Sequence, residues 1–365
     1  MKFYRLYSLL LILIALNLRA QDPHFSQFNE QPSLINPALT GMDDPIRISG
    51  VFKNQWQSVT TPYTTYGASL ESRIKPGGWK SVDSHRGMTF KERGLSFLNI
   101  GLSIYRDNAG SGILDLTQAN LSLASFIPTG RKSFLSCGLQ GSFAQRKINN
   151  ASLLFPNQFN GSSYDPGMAS NENFGSQNFN NFDLAAGLVW SFKNKQPLTD
   201  HELTKVNIGF SVFHINAPKQ NFLVGNKDLL HAKYVLYGDF LFSAPGSRVA
   251  FSPRFLAQMQ GASQEVMLGM IIKSYVGGGS KYTGIVKSSS IGYGMYYRFG
   301  DAIVPTITLE WKEQYAVGFS YDINVSRLSG TSSGRGGPEI MLRYTPPRAF
   351  LYQMKDDKTG QGKSK

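Results

Sequence analysis

Cysteine is almost absent. Cys137 stands alone in 365 residues, so no disulfide framework holds this chain together. Charge is scarce as well: Asp, Glu, Lys and Arg make up 17% of residues, against about 25% in an average soluble domain. There are five histidines, His24, His85, His201, His214 and His231. No two of them, and none with Cys137, fall at a zinc-ligand spacing, so all five read as solvated loop groups and no metal is expected. Beyond the first twenty residues no apolar run approaches the roughly 20 residues that a helix needs to span a bilayer. No segment carries helical periodicity long enough to cover a sheet. These absences exclude a disulfide scaffold, a coiled coil and a helical membrane bundle.

What is abundant points elsewhere. Aromatic residues reach 13%, with 25 Phe and 17 Tyr, and glycine reaches 37 residues. Disordered chains are poor in aromatics, whereas aromatic and glycine richness at low charge suits β-structure, a membrane barrel in particular. Residues 1–20 have the form of a cleaved secretory signal. Lys2 and Arg5 supply a positive start, Leu9 to Leu16 an apolar stretch, and Leu18-Arg19-Ala20 a cleavage site before Gln21. Export through such a signal places the protein outside the cytoplasm. The formal net charge of +13 falls to +10 once Lys2, Arg5 and Arg19 leave with it. The remaining cations are scattered, which fits a surface beside anionic lipid headgroups and gives no nucleic-acid footprint.

Residues 21–45 form an irregular segment punctuated by Pro23, Pro32, Pro37 and Pro45, a candidate lumen plug or periplasmic contact. From Ile46 onward, short runs alternate apolar and polar residues with period two. In Gln314 to Ser326 one face takes Tyr315, Val317, Phe319, Tyr321, Ile323 and Val325, while the other takes small and polar residues. The pattern predicts fourteen antiparallel strands: Ile46–Trp56, Tyr63–Ile74, Leu95–Arg106, Ile113–Phe126, Ser133–Gln145, Asn181–Phe192, Thr204–Ile215, Leu230–Ser243, Ser247–Met259, Gln264–Ser274, Ser288–Phe299, Ala302–Trp311, Gln314–Val325 and Pro338–Tyr344. A soluble sandwich also alternates. Aromatics at the ends of the apolar faces (Trp56, Tyr105, Trp190, Phe299, Trp311) favour interfacial girdles and hence an all-β transmembrane outer-membrane barrel over 46–345. Pro253 and Pro305 each remove a ladder donor, so bulges or irregular pairing are expected beside them. The Asn-rich connection Arg146–Asn180 is the expected long extracellular loop, and 346–365 a polar tail.

No chemistry-bearing motif stands out. Gly277-Gly278-Gly279-Ser280-Lys281 lacks the spacing of a phosphate loop and reads as a hairpin loop. No serine lies in Gly-x-Ser-x-Gly. Cys137 shares an apolar strand face with Leu135, Leu139 and Phe143, the place of a structural thiol and not of a nucleophile. Neither catalytic residues nor a cofactor are expected. Glu71, Arg73, Arg254, Arg298, Glu310 and Lys312 fall on the expected lumen face. There they either line a transport path or form a salt-bridged interior.

Several short pieces, in order along the chain, resemble the PorP/SprF family. They are Asp22-Pro23-His24-Phe25-Ser26-Gln27-Phe28, Asn36-Pro37-Ala38-Leu39-Thr40-Gly41, Asn54-Gln55-Trp56 followed by Pro62-Tyr63-Thr64, Asp107-Asn108-Ala109-Gly110, and Gly318-Phe319-Ser320-Tyr321-Asp322-Ile323. The chain departs from the family at Gly337-Pro338-Glu339-Ile340, where a histidine often precedes the glutamate, and in its long Asn-rich loop. The resemblance implies an integral outer-membrane barrel of the type IX secretion system, linked to secretion or cell-surface attachment of large cargo proteins such as gliding adhesins. Its implied partners are other type IX components, a secreted surface cargo and outer-membrane lipid or lipopolysaccharide. The family brings no catalytic residues, so Asp22, Pro23, His24, Phe25, Ser26, Gln27, Asn36, Pro37, Asn54, Gln55, Trp56, Tyr321 and Asp322 stand as a family signature only. About fourteen strands enclose too narrow a lumen for a folded adhesin, since aqueous porins use about 16–18. Docking or anchoring is therefore expected, with a channel for small or hydrophobic solutes as the competing reading.

Overall fold

The computed structural model describes residues 24–55, 62–74, 97–110, 113–130, 132–149, 153, 155–165, 167–169, 171, 178–195, 202–220, 229–277, 288–326 and 334–346. The expected signal segment, Trp56, His85, His201, the 278–281 part of the glycine-rich loop and the tail beyond 346 lie outside them.

Fourteen antiparallel strands close into one barrel: β1 (Ile46–Gln55), β2 (Tyr63–Ile74), β3 (Phe97–Ala109), β4 (Leu114–Pro128), β5 (Ser133–Ile148), β6 (Asn178–Lys195), β7 (Glu202–Phe213), β8 (Lys233–Ser243), β9 (Val249–Gln260), β10 (Ser263–Val276), β11 (Ser289–Arg298), β12 (Ala302–Trp311), β13 (Tyr315–Asn324) and β14 (Arg335–Tyr344). Each strand pairs with its sequence neighbour, and β1 pairs with β14 from Ile48↔Tyr344 to Lys53↔Glu339. Closure leaves no edge strand, and every strand exceeds the 9–11 residues that cross a bilayer at a tilt or matches that length.

The period-two pattern decides what faces where. Outward positions are apolar and exposed on every strand, Leu102, Leu139, Leu184, Phe251, Ile307 and Leu342 among them. A continuous belt of this kind far exceeds the few hundred Å² of apolar patch that a soluble monomer tolerates, and it makes the barrel an integral membrane body. Inward positions are polar yet buried, as at Ser69, Asn99, Asn120, Ser122, Gln140 and Asn207. The lumen is therefore filled in part.

Two residues depart from their expected places. Trp190, Phe299 and Trp311 are exposed on the outer face, but Tyr105 points inward, buried, and donates its hydroxyl to Gln118 Oε1 at 2.7 Å. Lys312 is an exposed turn residue with φ 49° between β12 and β13, not a strand residue, and it reaches the lumen cavity at its terminal-end mouth. The two prolines act as expected without forcing a bulge. The β8–β9 ladder skips from Asp239↔Arg254 to Phe242↔Phe251 around Pro253. The β12–β13 ladder skips from Ile303↔Ile323 to Thr306↔Ser320 around Pro305.

The filling is the chain's own N-terminal segment. Three short 3₁₀ turns, Phe28–Glu30, Pro32–Leu34 and Pro37–Leu39, carry it through the lumen. Proline opens the second and third of them, where its missing N–H costs nothing and its fixed φ is already suitable. Because the segment enters β1 at the end where β14 finishes, that end is called the terminal end here. Thr345 Oγ1 lies 3.4 Å from Asp44 there. The opposite end carries the 149–177 connection.

Candidate functional site

The lumen segment makes two kinds of contact with the wall. Toward the terminal end it is a wedge. Asn36 accepts the Ala38 N–H at 2.9 Å, capping the Pro37–Leu39 turn, while its Nδ2 donates to the carbonyls of Leu188 and Phe210, each at 3.1 Å. One amide therefore ties the turn to β6 and β7 at once. Ser136 and Ser211 donate their hydroxyls to the carbonyls of Ala38 and Ile35, at 2.6 and 2.5 Å. The seat for this turn is a pair of cross-strand glycines, Gly138↔Gly187, that face each other on β5 and β6. A Cβ at Gly138 would collide with the backbone of Pro37 and Ala38, and one at Gly187 with the Asn36 amide. Gly41 closes the wedge in the left-handed region at φ 67°, donating its N–H to Glu71 while its carbonyl accepts from Arg73.

Toward the opposite end the segment is held by charge. Lys53 on β1 reaches the His24 carbonyl at 3.2 Å and Ser26 Oγ at 3.3 Å, and pairs with Asp322 and Glu339 at 3.5 and 3.6 Å. The Glu339 carboxylate accepts the successive N–H groups of Ser26 and Gln27 at 2.7 and 2.8 Å, one on each oxygen. Ser26 Oγ donates to Asp322 at 2.8 Å and accepts from Arg298, which itself pairs with Asp322 at 3.1 Å. Lys53, Asp322 and Glu339 have side chains no more than 1% exposed. Charges this deep are tolerable only because each meets an opposite charge or a hydrogen bond.

Between wedge and latch, Glu30 bridges Arg47 at 2.8 Å and Arg343 at 3.2 Å. Arg343 continues to Glu310, which binds Lys273 at 2.7 Å. Burial alone would raise the Glu30 carboxyl, but Arg343 and Arg47 outweigh it and hold it below its ordinary value. For His24, burial together with the nearby Arg298 and Lys53 pushes the imidazole well below its ordinary value.

Opposite the wedge, between residues 27–44 and the wall from β8 to β14, lies a cavity of about 310 Å³. Tyr237, Asp239, Arg254, Lys273, Tyr296 and Glu310 line it, and Thr345 and Pro346 stand at its terminal-end mouth.

The structure thus brings together signature pieces far apart in sequence. His24, Ser26, Gln27, Gln55 and Asp322 meet in the latch, where Gln55 Nε2 donates to Asp322 at 3.2 Å. Asn36 and Pro37 form the wedge, whereas Tyr321 sits next to Asp322 on the opposite, outer face of β13. Asn54 contributes backbone: its carbonyl fills the space that a Cβ at Gly337 would need. Asp22, Pro23 and Trp56 lie outside the described residues. Of the expected lumen charges, Glu71, Arg73, Arg254, Arg298 and Glu310 form paired interior contacts.

Reading the sequence alone missed Lys53, Glu339, Glu30 and Arg343. For Lys53, Glu339 and Arg343 the signal was a charge on an otherwise small, polar strand face, whereas Glu30 lies in the first 3₁₀ turn of the lumen segment. The solvated reading fails for two histidines. His214 is 4% exposed with Nδ1 2.8 Å from Asp183, and His24 is tucked into the latch 3.4 Å from Glu265. Among the described residues no group of three or more His, Cys, Asp or Glu is placed to hold a metal ion.

Among solved structures the chain is similar to the CymD monoaromatic hydrocarbon channel, at 11% identity and TM-score 0.42, covering 86% of this chain and 91% of that one. It is also similar to the outer membrane protein Omp33 of Acinetobacter baumannii, at 7% identity and TM-score 0.37, covering 84% and 100%. A search of curated proteins returns no match. The family model described as "Type IX secretion system membrane protein PorP/SprF" matches residues 17–344, nearly the whole barrel and its lumen segment. This chain belongs to the PorP/SprF family of type IX secretion system membrane proteins, and is an outer-membrane β-barrel of that system.

Proposed function

We propose that this barrel acts without catalysis, as a docking or anchoring component that assists secretion or cell-surface attachment of large cargo proteins such as gliding adhesins. One observation carries the reading: the lumen is occupied by residues 24–44, tied to β1, β5–β7, β13 and β14, with a cavity of about 310 Å³ beside them. A folded cargo does not pass through such a space, so the protein works by what its ends present. The 149–177 connection is the extracellular contact, and the terminal end faces the periplasmic components. The outer apolar belt sits in lipid and lipopolysaccharide. The signature residues of the lumen segment serve to build the plug and do not touch cargo. A signal peptide cleaved before Gln21 delivers the chain, which N-terminal sequencing of the membrane-inserted protein checks.

The test is deletion of the gene with a complemented strain beside it, followed by mass spectrometry of culture supernatant and cell-surface proteomes. Loss of one large surface protein makes this a dedicated partner of that cargo, and loss of all type IX cargo makes it a core component. Unchanged export of every cargo protein sinks the secretion reading.

A further inference from the structure

The latch is His24 to Gln27, clasped by Lys53, Arg298, Asp322 and Glu339. The groups around it stand where their strands meet the opposite end: Arg298 is the last residue of β11 and Glu265 the third of β10. The first described residue of the segment, His24, therefore lies at the end that carries the 149–177 connection. At that point two buried acceptors have no donor. His24 directs Nδ1 at Glu265 Oε2, 3.4 Å away. With the ring proton on Nδ1, Nε2 is left as an acceptor, and neither it nor Glu265 Oε1 meets a hydrogen-bond partner. Glu265 is 5% exposed, and a carboxylate this deep is costly without a donor or a cation. The nearby cations are engaged elsewhere. Arg298 binds Asp301, Asp322 and Ser26. Lys53 binds Asp322, Glu339 and Ser26, and Lys233 stands over the Phe213 ring at 4.8 Å.

We propose that Glu265 and His24 are the binding site of the chain's own mature α-ammonium group, so that removal of the leader completes the latch. This rests on the cleavage before Gln21 put forward above. Hydrolysis of the Ala20–Gln21 peptide bond consumes one water and leaves a carboxylate on Ala20 and an ammonium on Gln21. Such an ammonium has three N–H donors and is mostly protonated at pH 7. It supplies what the two acceptors lack: a donor for Glu265 Oε1, a donor for His24 Nε2, and a positive charge for the carboxylate. It is also within reach. Gln21 stands three residues before His24, and an extended chain covers at most about 10 Å over that distance. The uncut chain cannot make this contact. Residue 21 then offers one uncharged peptide N–H, and the leader with its apolar Leu9 to Leu16 run would follow it to the same place. A processed chain thus has a fastening that its precursor lacks.

The experiment uses the protein purified from outer membranes, with the start of the chain read first from the mass of its N-terminal peptide. A sulfosuccinimidyl ester at pH 7 is the amine-reactive probe, and mass spectrometry follows modification of that peptide. The α-amine of wild type should react about tenfold more slowly than that of Glu265→Gln, with Glu265→Asp between the two. Lys147, exposed on β5, should react alike in all three. Should Glu265→Gln fail to fold, heat-unfolded wild type supplies the reference, and the same ratio is expected. Docking is overturned if the amine of a chain beginning at Gln21 reacts as fast in folded wild type as in the variant or the unfolded protein. It is equally overturned if that end is blocked as pyroglutamate. A chain that still carries the leader overturns the cleavage reading and the docking together, whereas a free, fast-reacting amine overturns docking alone.

Discussion

Wedge and latch belong to one short segment, residues 24–44, yet they are held by different physics. The wedge fits by shape. Glycines at Gly138 and Gly187 remove the side chains that would stand in the way, and the bonds across the seat join neutral groups: an amide, two hydroxyls and backbone carbonyls. The latch fits by charge, with Lys53, Arg298, Asp322 and Glu339 converging on backbone and hydroxyl groups of His24 to Gln27. Shape complementarity is indifferent to salt and pH, whereas a charged clasp can be retuned by either. A segment built from both can stay tethered at one end while the other opens.

Hydrogen exchange read by mass spectrometry on separate peptides covering 24–31 and 33–42 can break this comparison, because each half reports its own opening free energy. The largest effect is expected for Lys53→Met. It leaves Asp322 and Glu339 buried without that cation, and removing one partner of a buried charge set costs about 3–5 kcal/mol. Protection should fall in 24–31 and change little in 33–42. Equal losses in both would show that the segment opens as one unit.

Gly138→Val is the mirror experiment. Its side chain would meet the backbone of Pro37 and Ala38, and overpacking against groups that cannot yield costs about 1–3 kcal/mol. Here the loss should appear in 33–42 first. A smaller cut of the same kind is Asn36→Ala. It removes the cap of the Pro37–Leu39 turn and the donor shared by Leu188 and Phe210, for about 1–2 kcal/mol. Neither loss should depend on salt between 0.05 and 0.5 M on the order of magnitude that alters exposed charges.

Much of the barrel was legible in the sequence, and little of this division was. The strands announce themselves because period-two alternation is a local property, so β2 and β12 run over the very residues the pattern marks. Tyr105 was misread because a tyrosine at the end of an apolar run suits a membrane interface. Its position in β3 nevertheless places it in phase with Asn99 and Ser103, on the lumen side, where a hydroxyl finds Gln118. The wedge seat depends on register: Gly138 and Gly187 are ordinary strand glycines until pairing of β5 with β6 sets them opposite each other. The latch depends on closure. Lys53 and Glu339 lie at opposite ends of the chain and become neighbours only when β1 pairs with β14. The motif pieces around His24, Gln55 and Asp322 were visible as a resemblance, but no spacing in the sequence says that they touch.

The smallest expected effect sharpens the comparison most, because it acts on the latch without a mutation. His24 faces Glu265 on β10, Arg298 on β11, Lys53 on β1, Asp322 on β13 and Lys233 on β8. Burial and the surrounding cations hold it neutral when latched, well below the ordinary value of 6.5 that it regains on release. Between those two values the released state carries the extra proton, so closing weakens as pH falls below about 6.5, by at most tenfold per pH unit. Glu30 adds a second loss of the same sign below its ordinary 4.5, since its latched form is the more acidic one. Exchange in 24–31, extrapolated for the intrinsic pH dependence of amide exchange, should therefore quicken between pH 7 and 5 while 33–42 holds its protection. His24→Gln should flatten that response above pH 5. A response that survives the substitution would show that His24 is not the group that carries it.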